Sequence, residues 1–409
     1  MTDACATPDL LSLEDALSQI ANALPPYNQY EQLPLKQALN RVTYSDINST
    51  VNVPSFRNSS MDGYALSSKN SATKSLTVIG TSWAGKPFTG DVPTDCCLRI
   101  FTGAYVPNDC DCVVMQENAT QLNGTIKINK PTQLDDNIRH IGDDSKCGEL
   151  VLPSNTIINA ANIGLLASCG ITDVAVYKQL NVGFFSTGDE LASIGASLEL
   201  GQIFDSNRYT LAAMIEQSGA IPIDMGVIVD NPQAVETALL SASEQCDVII
   251  TSGGVSVGEA DYITDVLSKI GTVNLWRIAI KPGKPLVFGF INGSAFFGLP
   301  GNPVSVMVTY QQIVRPILEK MMGTGTHSNR LLLQAKTTAK LYKQPGRKEF
   351  QRGFVENING QLVVSSTGEQ GSHMLRSMAE ANCFIVLEQE TGNINEGQLV
   401  TVQLLGTNT

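Results

Sequence analysis

Residues 247–261 read DVIITSGGVSVGEAD, and the order of events within them decides the fold. Asp247 to Thr251 is a short apolar run with the length and β-branched content of a buried strand. Ser252, Gly253 and Gly254 end it, the turn continues through Ser256 and Gly258, and a helical pattern opens near Asp261 and stops at Gly271. Glycines let a backbone approach a ligand closely, and amides and hydroxyls at a strand-to-helix junction can bond phosphate oxygens. A glycine-rich turn alone is a weak sign. Its position between a strand and a helix is what makes it informative.

The same alternation extends in both directions. Apolar strands are expected at residues 182–186, 221–229, 275–280 and 286–291, with helices at 206–218, ended by Gly219, and at 232–244, capped by Asn231 with Pro232 in the first turn. Strand, helix, strand repetition predicts a largely parallel sheet covered on both faces. Such sheets bind ligands in the loops beyond the carboxyl ends of their strands. Three more loops of interest stand at such ends. Thr187-Gly188-Asp189-Glu190-Leu191 holds two adjacent acids, which on spacing alone are more often solvated turn residues. Lys281-Pro282-Gly283-Lys284-Pro285 holds two lysines on a backbone stiffened by proline, suited to a phosphate or oxyanion, or simply a solvated turn. Gly298-Leu299-Pro300-Gly301-Asn302-Pro303-Val304-Ser305 ends in a helix start at which Asn302 can cap and Pro303 can take the first position. Capping accounts for those two residues, but not for Pro300-Gly301.

The chain has 409 residues, too many for one ordinary core, and its 43% hydrophobic and 16% charged residues are those of a packed multi-domain protein. Ser12 is expected to cap a helix over 12–24 that carries Leu13, Ala16, Leu17, Ile20 and Leu24 on one stripe, ended by Pro25-Pro26. Short extended runs fill 50–143, a helical stretch lies near 159–169, and strand-like runs around Asn359-Gly360 and Glu396-Gly397 predict an all-β C-terminal region. A net charge of −12 argues against nucleic acid or an anionic membrane as a partner, so an anionic ligand needs a local basic pocket. No secretory signal and no apolar run of membrane-spanning length is visible, and a cytoplasmic protein is expected. Nine cysteines in no zinc-like spacing are expected to be reduced and structural. Gly80 to Lys86 fits GxxxxGK, but Pro87 replaces the magnesium-binding hydroxyl and no helical pattern follows, which removes a nucleotide P-loop. The three histidines are scattered, and no hydrolase elbow or HExxH pattern is present.

Taken together, the four loops resemble the molybdopterin molybdenumtransferase family, the bacterial MoeA proteins and the gephyrin E domain. So do Pro54 to Tyr64, Phe101-Thr102-Gly103-Ala104, Gln351-Arg352-Gly353 and Gly371-Ser372-His373. The resemblance implies an α/β molybdopterin-binding domain at 180–325 and a discontinuous linking domain from 1–49 and 144–179. It also implies a β-rich insertion at 50–143, a small β-barrel-like domain at 326–409, and a homodimer. It further implies insertion of molybdenum from molybdate into adenylylated molybdopterin with release of AMP, using magnesium. Asp62, Glu190, Asp230, Asp261 and Lys281 would then be catalytic, with Glu190, Asp230 and Asp261 holding Mg2+, since hard cations favour carboxylates. Thr102, Asp144, Ser252, Gly253, Gly254, Ser256, Gly258, Arg277, Pro300, Gly301 and Pro303 would contact the pterin nucleotide. Lys281, Lys284, Arg352 and Ser372 would take molybdate. Arg277 stands where bacterial relatives have lysine, which leaves the charge but changes the donor geometry. Two other activities compete, a molybdopterin adenylyltransferase and a scaffold that keeps the fold for binding partners. The adenylyltransferase and molybdoenzyme maturation proteins are further candidate partners.

Overall fold

Phe184 and Phe185 are neighbours in one strand and enter different cores. Successive strand residues point to opposite faces, so a continuous apolar run predicts a sheet covered on both sides. The computed structural model, which describes residues 10–70, 75–254, 262–324 and 331–405, shows the pattern repeated across the central sheet. Ile250, Phe297 and Phe288 face one cluster with Phe184, while Ile249, Phe296 and Val287 face the other with Phe185. Each such side chain contributes roughly 1.5–3 kcal/mol by leaving water.

The first face is covered by helices Leu13–Ala23 and Ser206–Gln217 and by a helical rod from Pro303 to Met321, which passes through a π-helical turn at Tyr310–Val314. The second is covered by Pro232–Gln245 and Tyr262–Ile270. Two of the expected caps form: Ser12 Oγ accepts from the Asp15 amide, and Asn231 Oδ1 from that of Ala234. Leu13–Ala23 buries Leu13, Ala16 and Ile20 in this α/β core, although it is distant in sequence from the strands.

The six strands run in the order Ile221–Ile228, Asn181–Thr187, Val248–Ser252, Ser294–Leu299, Pro285–Ile291, Thr272–Arg277. The first four are parallel, Pro285–Ile291 runs opposite to them, and Thr272–Arg277, antiparallel to that strand, runs in the common direction again. The expectation of βα alternation throughout is therefore corrected at its end. Asn292 and Gly293 both have positive φ, 48° and 93°, and Ile291 pairs with Ser294 across them. That is a two-residue hairpin, and Asn-Gly is its strongest signal. Strand Ser294–Leu299, unexpected from periodicity, follows from it.

The C-terminal region closes on itself. Strands Lys348–Ile358, Gln361–Ser366, Leu332–Thr337, Leu399–Leu404 and Cys383–Leu387 pair in that order, and the last returns to the first, making a five-stranded barrel. Closure removes the free edges. Asn359 and Gly360, with φ of 53° and 85°, form its expected hairpin turn. Ile280–Lys281 adds a short parallel strand at the rim, pairing with Lys348 and Glu349.

The chain divides into two compact units, residues 32–176 and the remainder. Within 32–176, a six-stranded sheet contains Gly63–Leu66, Cys96–Ile100 and Cys112–Met115. In a separate cluster, Leu35 and Ala38 pack with Leu152, Ile158, Leu166 and Val174. Segments before and after the sheet thus share one small core. Burial pushes the thiols of Cys97, Cys110 and Cys112 up to about 12, which leaves them poor nucleophiles. The discarded GxxxxGK stretch is a strand ending at Ser82 followed by a turn in which the Trp83 and Lys86 backbones pair, with no helix after it.

Candidate active site

Parallel register brings strand ends together. Ser186 lies opposite Ser252, Ser252 opposite Leu299, and Thr187 opposite Ile228, so the chain leaves all four strands at one level. The loops beyond them, with the Lys281–Pro285 turn and two segments of the barrel region, enclose a cavity of about 730 Å³. Thr187, Gly188, Glu190, Asp230, Gly253, Gly254, Lys281, Lys284, Pro300, Gly301, Arg347, Gln370 and Ser372 are on its wall. Three cations and two carboxylates thus share a pocket in a chain that is acidic as a whole.

Glycine is required at two points of this wall. Gly253 has φ +91°, and a Cβ there would lie 2.8 Å from the Thr187 carbonyl oxygen. Its amide donates to the Leu299 carbonyl at 3.1 Å, tying two of the loops together. Gly283, at φ +103°, lies against Thr309, whose Oγ1 a Cβ would strike. The dilysine turn can sit on the helical rod only without a side chain there.

Charge is unevenly balanced. Partial burial pushes the Asp230 carboxyl above the usual carboxylate range, and the negative charges of Asp189 and Glu190 add to this. Lys281 Nζ donates to Glu349 Oε1 at 3.2 Å, while Lys284 and Arg347 contribute further positive charge to the wall. Among the described residues the buried Thr187 Oγ1 has no hydrogen-bond partner.

Several expected contacts lie elsewhere. Arg352 is buried, and its guanidinium donates to Ser377 Oγ and to the carbonyls of Gln370, Glu369 and Gly371, at 3.0–3.2 Å. It holds the loop that forms the wall and is not itself on it. The Ser252 hydroxyl is buried against Ser186 Oγ at 3.0 Å, leaving the neighbouring glycines to face the cavity. Arg277 is exposed on the edge strand and Pro303 starts a helix, both off the wall. Asn302 makes no capping bond and lines the cavity, so the capping explanation for it fails. Ser256, Gly258 and Asp261 lie outside the described residues.

Asp62, Thr102 and Asp144 belong to the other unit. Asp62 Oδ1 accepts from both the amide and the hydroxyl of Thr102 at 2.8 Å. Those bonds, the amide's first, hold its carboxyl below the ordinary range, assisted by Arg99. Asp144 donates its amide to the Val53 carbonyl at 2.9 Å. Arg347, Gln370 and Asn302 were missed as wall residues. For Arg347 the signal lay in pairing, since Lys348, next to it, pairs with Ile280.

A cavity at the carboxyl ends of parallel strands, with two glycines, two acids and a dilysine turn on its wall beside a small barrel, marks an α/β protein with a candidate site for an anionic ligand. Three family models then match in order: the MoeA N-terminal region, domains I and II, over residues 11–170; a probable molybdopterin binding domain over 183–320; and the MoeA C-terminal region, domain IV, over 334–405. A molybdopterin molybdenumtransferase of Haemophilus influenzae is 46% identical over 96% of this chain and 98% of its own length. Another from Nostoc is 33% identical, over 96% and 93%. A molybdopterin biosynthesis MoeA protein of Pyrococcus horikoshii superposes with a TM-score of 0.85 at 27% identity, covering 97% of this chain and all of that one. The chain belongs to the molybdopterin molybdenumtransferase family.

Proposed function

We propose that this protein is an enzyme that inserts molybdenum into adenylylated molybdopterin, taking molybdate as co-substrate and releasing AMP. The observation that carries this is the cavity, where Lys281, Lys284 and Arg347 share one wall with the glycine turn of Gly253 and Gly254. A tetrahedral dianion and a phosphate are both recognised by positive charge and convergent donors. The lysines and the Ser372 segment hold molybdate, and the glycine turn with Pro300-Gly301 holds the phosphates. Charge that develops on the leaving phosphate is offset by these fixed groups.

Magnesium suits the acidic side of the pocket. Asp230 is driven toward its protonated form by burial and then by the adjacent acids, and a divalent cation would offset both. Glu190 and Asp230 would hold it, joined by Asp261, and the ion would neutralise the pyrophosphate. Among the described residues no cluster of three such ligands is assembled. No described helix is long and apolar enough to cross a membrane. The exposed Ile194, Leu198, Leu200, Ile203 and Phe204, close together in one segment, support a homodimer, since a contact between subunits would take such apolar side chains out of water.

The test is AMP release from adenylylated molybdopterin by the purified chain, with and without molybdate. Release that requires molybdate and magnesium is expected. Consumption of ATP with free molybdopterin would instead identify an adenylyltransferase, and no turnover a scaffold.

A further inference from the structure

Glu349 is buried, and its carboxylate is not on the cavity wall. Its Oε1 accepts from Lys281 Nζ at 3.2 Å and from Gln351 Nε2 at 3.0 Å, and Gln351 Nε2 donates also to the Tyr342 carbonyl. Lys281 and Glu349 are register partners where the short rim strand joins the barrel, so backbone pairing sets the two side chains against each other. The Lys281 side chain is 46% exposed and that of Glu349 only 5%. One end of the pair is therefore anchored in the barrel and the other opens into the pocket.

We propose that Glu349 is a positioning residue, holding the Lys281 ammonium against the wall in the orientation that meets an oxyanion. An ammonium has three donors, and the bond to Glu349 uses one, leaving two for the ligand. A lysine on four rotatable bonds loses much freedom when it grips an anion, and a fixed partner imposes that loss before binding. A buried carboxylate near an anion site also repels the anion. The Lys281 ammonium, in direct contact with Glu349, offsets that repulsion. The inference rests on the reading of Lys281 as a molybdate contact.

The experiment uses the full chain in the molybdate-dependent AMP-release assay, with Lys281→Met, Glu349→Leu, Glu349→Gln and the double variant Lys281→Met/Glu349→Leu. Leucine has similar size and packs in a barrel, while Gln keeps the accepting oxygen. If Leu fails to fold, Met at 349 replaces it. Glu349→Leu is expected to raise the molybdate KM by about five- to tenfold, with the KM for adenylylated molybdopterin within twofold. Glu349→Gln should restore most of the loss, and the Leu change should add nothing once Lys281 is Met. An unchanged or lowered molybdate KM in Glu349→Leu, a Gln variant as impaired as Leu, or a full additional loss in the double variant overturns the positioning role. Should Lys281→Met leave molybdate KM unchanged, the oxyanion role of Lys281 falls, and this proposal falls with it.

Discussion

Asp230 pays for its place in the pocket. Its carboxyl is raised by desolvation and by Asp189 and Glu190, so the native state binds its proton more tightly than the unfolded chain does. Stability therefore falls as pH rises through the interval between the ordinary carboxylate pKa and the raised one, and the full deficit persists above it. Asp230→Asn is expected to raise the melting temperature near neutral pH and to leave it almost unchanged in acid below that interval. Equal shifts at both pH values in calorimetry would remove the charge-repulsion account. At Arg277 the expectation is silence. The side chain is exposed on an edge strand and absent from the cavity wall, so Arg277→Lys should change substrate affinity by less than about threefold, under 0.7 kcal/mol. A tenfold loss in an equilibrium binding assay would show that substrate reaches that edge.

At the scale of elements, the loop from Glu369 to Gly371 depends on one side chain. Arg352 donates to all three of its carbonyls, and no lysine can span them. Arg352→Lys leaves buried acceptors unsatisfied, at a cost of about 3–5 kcal/mol in unfolding free energy. Urea denaturation would measure that cost, and hydrogen exchange should show faster opening of the barrel segment next to Ser372. Loss of molybdate use with no change in stability would instead favour a direct contact between Arg352 and the oxyanion. The Val304 amide donates to the Ser372 carbonyl, so the same loop is tied to the start of the helical rod. The barrel and the α/β domain are thereby coupled at the pocket.

For the whole molecule, the decisive quantity is its mass in solution. Leu200, fully exposed, and Phe204, at 42%, lie in the segment proposed for the homodimer contact. Sedimentation at micromolar concentration is expected to give twice the chain mass, and Leu200→Glu with Phe204→Glu to shift the equilibrium toward single chains by at least about 3 kcal/mol, the cost of two charges at an apolar contact. A single-chain mass for the unmodified protein would refute the dimer. A dimer untouched by both changes would place its contact elsewhere.

The order of apolar runs, glycine turns and caps was enough to locate the central strands and helices, because burial on both sheet faces demands continuous apolar strands and each cap is a local bond. It also pointed to the four loops that meet in one cavity, since parallel strands must all end on the same side. The hairpin at Asn292-Gly293 was legible too, but the run of βα units around it hid the signal. Other facts depended on contacts between distant residues. Arg352 and Lys281 look alike in sequence as free cations. Only the folded chain shows that one has its donors taken by backbone carbonyls and the other opens into the pocket beside a buried carboxylate. Asn302 stands where a cap belongs and makes no capping bond. A side chain's type sets what it can bind, but whether its donors are already satisfied depends on neighbours that sequence separates by tens of residues.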